Sequence, residues 1–407
     1  MTFPSPVDGC PTTTTAPAPA HDLAALRGLF ALGGFVIASW AVRIPDIADQ
    51  VGAGHGDLGV ALLGVSVGAL ATMRLTGALC ERIGAGPVST VAAVLVCVGV
   101  VAPGLAGSVT GLGAALLVLG ALTGVLNVAM NSLGVRLEAA AGRPMLSTLH
   151  AAFSFGGLGG SVVGGLAATA AAPGAHLLGV AAGGLLLVSV LARPLLGADR
   201  TRPTARAGEV REPGGRLEWA RGTVLTLGAI AACTAYGEGA LSDWAALHLA
   251  TDVGAGPLWA AAGYACFSLA MAGARLAGHR LLGLLGEARL LVGGGLLAAA
   301  GMLPAALSAN LAPALAGLVL VGVGLANVFP LVIARAGALG GARGIGLATT
   351  VGYAGLLAGP AVIGLLAARV GLPGALTSVS LLALLGAVLS GSVAGSPVPS
   401  AGSVGAA

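Results

Sequence analysis

The sequence predicts an all-α membrane protein with twelve transmembrane helices arranged as two six-helix repeats. Composition is the first reason, because 57% of the 407 residues are hydrophobic and only 8% are charged. Long uninterrupted apolar runs are the second reason, and a similarity between the two halves of the chain is the third. This combination excludes a soluble enzyme and a disordered polymer.

Twelve apolar runs account for nearly all of the chain. A hydrocarbon core about 30 Å thick is crossed by about 20 residues of helix, so we expect each run to cross the membrane once. The runs are continuously apolar instead of alternating, which favours helices over the strands of a barrel. They cover residues 23–42, 58–79, 88–108, 111–135, 146–171, 177–196, 222–247, 258–278, 290–309, 312–334, 345–368 and 374–394.

The arginines predict the orientation of the chain. With the N-terminus inside, fifteen arginines flank the cytoplasmic ends of the runs, whereas only Arg43 and Arg369 lie on outer loops. The positive-inside rule therefore places both termini in the cytoplasm. The net charge of +4 reflects this orientation. We expect the arginine-rich segment 200–221 to lie near anionic lipid, and we expect no nucleic-acid partner.

Five segments follow from the runs and from the charged stretch between them. We predict a disordered N-terminal tail, a six-helix half, a cytoplasmic central loop, a second six-helix half and a C-terminal tail. These segments are residues 1–21, 22–196, 197–221, 222–394 and 395–407.

Chemistry at a cofactor or metal is not expected. The five cysteines show no paired spacing, and no Ser/His/Asp constellation, metal-ligand cluster or phosphate-binding loop appears in the sequence. We therefore predict no cofactor, no metal site and no enzymatic activity.

The two halves resemble each other at a spacing near 200 residues. Residues 159–168 (GGSVVGGLAA) match residues 359–368 (GPAVIGLLAA) at six positions, and Asn127 with its following valine recurs as Asn327 with its own. Parallel six-helix repeats are typical of secondary transporters, in which the substrate site lies between the halves and one half rocks on the other.

The segment GALCERIGAGP (77–87), directly after the second run, resembles the signature of the major facilitator superfamily between its helices 2 and 3. Arg82 matches that signature, whereas Glu81 stands where the family has aspartate. More narrowly, ASWAVRIPDI (38–47), NVAMNSLGVRLE (127–138), GRPMLSTLHAAFSFGGLGG (142–160) and EGALSDWAALHL (238–249) are similar to the YbjJ-type branch near the fucose permeases.

This resemblance implies a transporter of the bacterial cytoplasmic (inner) membrane that moves a small-molecule substrate by alternating access. It also implies that helices 1, 4, 7 and 10 line the cavity, with helices 2, 5, 8 and 11 beside them. We expect the protein to act as a monomer whose partners are the substrate, protons and the lipid bilayer.

Two acids interrupt the seventh apolar run. Counted from Gly222 at about 1.5 Å per residue, Glu238 lies about 24 Å along the helix, inside the apolar slab, and Asp243 about 32 Å along it, at the outer edge. They point about 140° apart, so they do not form a paired-carboxylate site. Because burial favours the protonated carboxyl, Glu238 is the candidate proton carrier; the alternative is a structural carboxylate bonded to a neighbouring helix.

Several charges are candidates for gates. Arg43 lies on the outer side and needs a compensating carboxylate, which could be Asp46, Asp49 or, across the halves, Asp243. The alternative for Asp243 is a helix-end charge in the headgroup region. Two further arginines, Arg74 and Arg275, lie in the membrane near its inner side, and we expect their side chains to snorkel toward the cytoplasm. Alternatively they form inner gates, in which Arg74 pairs with Glu81 and Arg275 with Glu287. Arg82 of the signature is a further gate candidate.

Polar and aromatic residues at helical spacing are candidates for binding substrate. Asn127 and Asn131 share one face of the fourth run, and His150 and Ser154 one face of the fifth. Their alternative role is hydrogen bonding between helices, and the alternative for the tryptophans is anchoring at the membrane interface. The full set is Ser39, Trp40, Asn127, Asn131, His150, Ser154, Trp244, Tyr264, Asn327 and Tyr353.

We therefore expect a secondary active transporter, proton-coupled, that takes up a sugar-like or other small polar solute. The first alternative is proton-antiport efflux of drugs or metabolites. The second is a membrane sensor that does not transport, which would need a sizeable folded soluble part.

Overall fold

The computed structural model describes residues 20–141, 145–198 and 215–394. The predicted disordered tails and most of the predicted central loop lie outside these residues. Throughout the described chain the regular secondary structure is helical, without a strand, which confirms the all-α prediction.

Fourteen helices follow one another in these segments. They are α1 (Ala20–Ala41), α2 (Ile44–Val51), α3 (His55–Ile83), α4 (Ala85–Gly99), α5 (Val101–Gly104), α6 (Val109–Ala141), α7 (Leu146–Ala168), α8 (Pro173–Ala198), α9 (Gly215–Thr251), α10 (Pro257–Leu276), α11 (Gly278–Leu285), α12 (Glu287–Leu307), α13 (Leu311–Leu325) and α14 (Val328–Ala394).

Eleven stretches of these helices are long and apolar enough to cross a membrane. The first ten coincide with the first ten predicted runs to within a few residues at most ends. The last two predicted runs instead fall in one stretch, Arg343–Val393, of 51 residues. A straight helix of that length would measure about 77 Å, more than twice the thickness of the hydrocarbon core. Its backbone is not helical at Gly371, where φ is 77° and ψ is 161°.

Proline and glycine set the other helix boundaries. Pro45 and Pro257 lie in the first turns of α2 and α10, where a missing N–H costs no hydrogen bond. Gly84, in the signature segment between α3 and α4, has φ 104°, a conformation that disfavours any side chain. The helical path also breaks between α13 and α14, just before Pro330.

The two halves meet near one side of the membrane. Gly59 of α3 lies against Gly364 of α14 so closely that a methyl group on Gly59 would be 2.7 Å from the Gly364 Cα. A methyl group on Gly165 of α7 would likewise lie 2.7 Å from the Ala261 Cβ of α10. Both contacts are near the ends at which α3 and α10 begin. Glycine at these positions therefore allows the halves to close on that side.

Candidate functional site

An ion pair connects the two helices α9 and α10 of the second half. Arg275 Nη2 lies 3.3 Å from Glu238 Oε2, and the side chains are 37% and 36% exposed although both lie in membrane-spanning stretches. Arg275 Nε also donates to the carbonyl oxygen of Ala326 at 3.1 Å, at the break between α13 and α14. One guanidinium thus joins α9, α10 and this break.

The alternative pairing of Arg275 with Glu287 is not found. Glu287 instead receives Arg335 Nη1 at 3.0 Å. Depth explains the actual partner: Glu238 lies about 20 Å from the end of α9 and Arg275 about 27 Å from the start of α10, a difference that an arginine side chain spans. Arg275 therefore bonds to the neighbouring helix α9 and does not extend along its own helix.

The charges of this pair also reach three further polar rings. The charges of Arg275 and Glu238 both act on His150, which belongs to α7 of the other half. The charge of Glu238 also acts on Tyr264 and Tyr353. His150 is exposed and its ring packs edge-on against Phe30, with centroids 5.4 Å apart. The predicted candidates on α7, α9, α10 and α14 thus gather around Glu238, across the boundary between the halves.

Two amides on α6 form a local pair. Asn131 Nδ2 donates to Asn127 Oδ1 at 3.0 Å and to the Asn127 carbonyl oxygen at 2.9 Å, and the Asn127 side chain is exposed. These bonds run within α6, not between helices. Ser154 similarly donates to the His150 carbonyl oxygen at 3.2 Å within α7.

Asn327 has a structural contact. Its Nδ2 donates to the Ala274 carbonyl oxygen at 3.0 Å, and its side chain leaves no room for a Cβ at Gly278. The amide thus fastens the break between α13 and α14 to the end of α10. Among the substrate-binding candidates, this one is better explained as a fixed joint of the second half.

Ser39, Trp40 and Trp244 are buried, with 0%, 5% and 0% exposure. The indole N–H of Trp244 donates to the Pro360 carbonyl oxygen at 3.0 Å, and its ring lies 6.2 Å from that of His55. Neither tryptophan lies at an exposed interface position, and neither offers a free face to a ligand in this conformation.

Arg43 has its carboxylate close by in the sequence. Its Nε lies 2.7 Å from Asp46 Oδ2, and its Nη2 donates to the Ala171 carbonyl oxygen at 2.7 Å. Burial lowers the pKa of Arg43 and raises the pKa of Asp46, and the attraction between the two opposes both shifts. Of the three carboxylates considered for Arg43, Asp46 is the one in contact. Asp243 is partly buried, and its charge acts on Tyr264 instead.

The signature segment presents Glu81 and Arg82 as exposed side chains. The side chain of Arg74 lies outside the described part of the structure. Sequence reasoning missed two polar links beside this segment: Arg136 Nη2 donates to the Cys80 carbonyl oxygen at 3.1 Å, and Glu138 accepts the backbone N–H groups at the start of α7. Both residues belong to the motif NVAMNSLGVRLE, whose charged end could have pointed to them.

The gathered residues include one ion pair and several hydrogen-bonding side chains. Within the described segments, no group of three His, Cys, Asp or Glu side chains could hold a metal ion. A carboxylate balanced by one arginine can be neutralised by a proton, which would free the guanidinium. The three rings add groups that can donate and accept hydrogen bonds.

Comparison with known proteins places the chain in a family. Residues 25–342 match the profile of the Major Facilitator Superfamily. An uncharacterised MFS-type transporter of Yersinia pestis is 34% identical over 361 residues, which are 88% of this chain and 92% of the relative. An uncharacterised transporter of Sinorhizobium fredii, y4wD, is 33% identical over 371 residues, 88% of this chain and 95% of the relative.

A solved structure shares the fold. The crystal structure of a bacterial homologue of the human lysosomal transporter Spinster, in an inward-facing and occupied conformation, superposes with a TM-score of 0.72 at 14% identity, covering 92% of this chain and 96% of the other. The family profile covers most of the chain, and the matches to the two bacterial relatives cover nearly all of each relative. This protein therefore belongs to the Major Facilitator Superfamily and is a multi-pass membrane transporter.

Proposed function

We propose that this protein is a proton-coupled secondary transporter that takes up a small polar solute, with Glu238 as the proton carrier. The observation that carries the proposal is the partly exposed ion pair of Glu238 and Arg275, whose charges also act on His150 of the other half. A proton on Glu238 would weaken this pair, because the neutral carboxyl no longer attracts the guanidinium. Proton binding would thereby alter how α10 is tied to α9.

The solute is proposed to bind between the halves, beside this pair. Asn127 and Asn131 supply neutral amide groups, and Tyr264 and Tyr353 supply hydroxyls near the charge of Glu238. Such a set suits hydroxyl-bearing or amide-bearing metabolites of sugar size better than an apolar drug. It also agrees with the resemblance to the YbjJ-type branch near the fucose permeases.

Topology completes the proposal. We place twelve crossings in the bacterial inner membrane with both termini in the cytoplasm, taking the break at Gly371 as the turn between the last two. In this orientation the contacts of Gly59 with Gly364 and of Gly165 with Ala261 close the outer side. The exposure of Glu238 and Arg275 then reflects access from the cytoplasm, and Asp243 lies nearer the closed side.

Uptake into proteoliposomes tests the function. Purified protein is reconstituted and offered a panel of radiolabelled monosaccharides, polyols and amides, with and without an imposed inward proton gradient. We expect at least one solute to accumulate, and only when the gradient is present. If every transported solute accumulates equally with and without the gradient, proton coupling is contradicted. If the protein transports only apolar drugs, the polar substrate site is contradicted.

A further inference from the structure

Helix α3 of the first half packs against α14 of the second half along an antiparallel seam. A methyl group on Gly56 would lie 3.4 Å from the Ala368 Cβ, and one on Gly59 would lie 2.7 Å from the Gly364 Cα. Residue numbers rise along α3 as they fall along α14. The seam therefore runs from the membrane surface at which α3 begins toward the middle of the membrane.

A side-chain hydrogen bond lies at the deep end of this seam. The hydroxyl of Ser66 donates to the Leu357 carbonyl oxygen at 3.2 Å, and Ser66 is 7% exposed. Among the side-chain hydrogen bonds that join two described residues, this one alone connects the first half with the second. Helix α3 begins at His55, so Ser66 lies about 17 Å along it, near the middle of a hydrocarbon core about 30 Å thick.

The acceptor belongs to a turn of α14 that ends in proline. Because Pro360 has no N–H, the Leu356 carbonyl oxygen lacks its usual helix donor and lies against α9, 2.5 Å from where a methyl group on Gly239 would be. The Pro360 carbonyl oxygen accepts the indole N–H of Trp244 at 3.0 Å. Both contacts are within the second half, so they can persist when the halves separate. The bond from Ser66 crosses the boundary and must break.

Ser161 shows the more common arrangement of a helical serine. Its hydroxyl donates to the Gly157 carbonyl oxygen of its own helix α7 at 2.9 Å, and the residue is 1% exposed. Ser66 is similarly buried but donates to a helix of the other half. The two serines therefore differ in what the hydroxyl holds together, which makes Ser161 a matched comparison.

The bond from Ser66 lies close to the residues proposed to bind the solute. Tyr353 is one turn before Leu357 on α14, about 6 Å along the helix, and is 37% exposed. The charge of Glu238 acts on Tyr353. A solute in contact with Tyr353 is therefore about one helical turn from the bond that must break before it can pass to the closed side.

We propose that Ser66 is a positioning residue of the closed state. Its hydrogen bond to Leu357 holds α3 on the proline turn of α14 and separates the solute site from the closed side. This inference rests on the alternating access proposed above, but not on proton coupling. Since opening exchanges this bond for bonds to water, its removal should raise the ratio of open to closed molecules about fivefold.

Hydrogen–deuterium exchange of the full chain in lipid nanodiscs, read by mass spectrometry, tests the role of Ser66. Amides along the seam exchange when that side opens, so their rate reports the open population. In Ser66→Ala we expect exchange over residues 55–66 and 356–368 to become about fivefold faster. Exchange at the opposite ends of the same helices, residues 72–83 and 343–353, should not become faster, whereas general destabilisation would raise the rate at both ends.

Ser161→Ala is the control, because it removes a buried hydroxyl that bonds within its own helix. Its exchange along the seam should equal that of the wild type. Equal seam exchange in Ser66→Ala and the wild type, or faster exchange at both ends of α3 in Ser66→Ala, would overturn the proposal. The rates are measured without a solute or a proton gradient, so a failure of proton coupling in the uptake assay would leave them unaffected.

Discussion

At the scale of single residues, this protein keeps two kinds of arginine in its apolar interior. Arg43 is almost completely buried and is held by Asp46 and a backbone carbonyl. Arg275 is partly exposed and held by Glu238. A buried guanidinium that loses its carboxylate is strongly destabilising, whereas a half-exposed one can be solvated. Loss of the carboxylate should therefore destabilise the fold more at Arg43 than at Arg275.

Replacing Asp46 by asparagine should destabilise the fold. Arg43 would remain buried without its carboxylate, at a cost of about 3 kcal/mol, the lower end of the range for broken buried pairs because Asp46 is partly exposed. The apparent melting temperature of the purified variant in detergent measures this effect. Asp49→Asn, at an exposed neighbouring carboxylate, is the matched control and should melt like the wild type. Equal melting of both variants would show that Arg43 does not depend on Asp46.

At the scale of helices, close contacts between glycines decide how the halves approach each other. Gly59→Leu cannot coexist with the contact to Gly364, because even a methyl group would lie 2.7 Å from its Cα. The variant should shift the protein toward the state that is open on that side. Spin labels at Val60→Cys and Leu365→Cys, both exposed positions, should then report longer distances.

Gly77→Leu is the control for this shift. It places the same side chain on the same helix α3 where a Cβ meets open space, so the label distances should match those of the wild type. Unchanged label distances in Gly59→Leu would mean that the contact of Gly59 with Gly364 is not needed to keep the halves closed on that side.

The break at Gly371 should be a turn at the membrane surface. If the chain crosses twice within Arg343–Val393, a cysteine in place of Arg369 should react with a membrane-impermeant maleimide from the same side as one in place of Ala53. A cysteine in place of Leu284, on α11, should react from the opposite side. Labelling of positions 369 and 284 from one common side would contradict twelve crossings.

Periodicity and length predicted most of the helices, because apolar runs of about 20 residues have few other uses in a chain of this composition. The partner of Arg275 could not be predicted, because it depends on the relative depth and rotation of α9 and α10. Sequence spacing fixes the relative positions of residues within one helix, but not between two helices. Arg43 shows the complementary case: its partner lies three residues away on the same turn, so local spacing was enough to include Asp46 among the choices.

At the scale of the whole molecule, two halves are closed together on one side while a charged, partly exposed cluster lies between them. His150 of the first half and Glu238, Arg275, Tyr264 and Tyr353 of the second contribute to this cluster. Rocking of the halves would change the surroundings of Glu238 and so its affinity for a proton, which is the requirement for coupling.

The most direct test is to compare driven uptake with solute exchange in Glu238→Gln. A gradient of one pH unit is worth about tenfold accumulation for each coupled proton. We predict that Glu238→Gln loses this accumulation but still exchanges internal for external solute across proteoliposomes at a rate close to that of the wild type. Asp49→Asn, at an exposed carboxylate away from the cluster, should retain gradient-driven uptake. Full accumulation by Glu238→Gln would contradict the assignment of this carboxylate as the proton carrier.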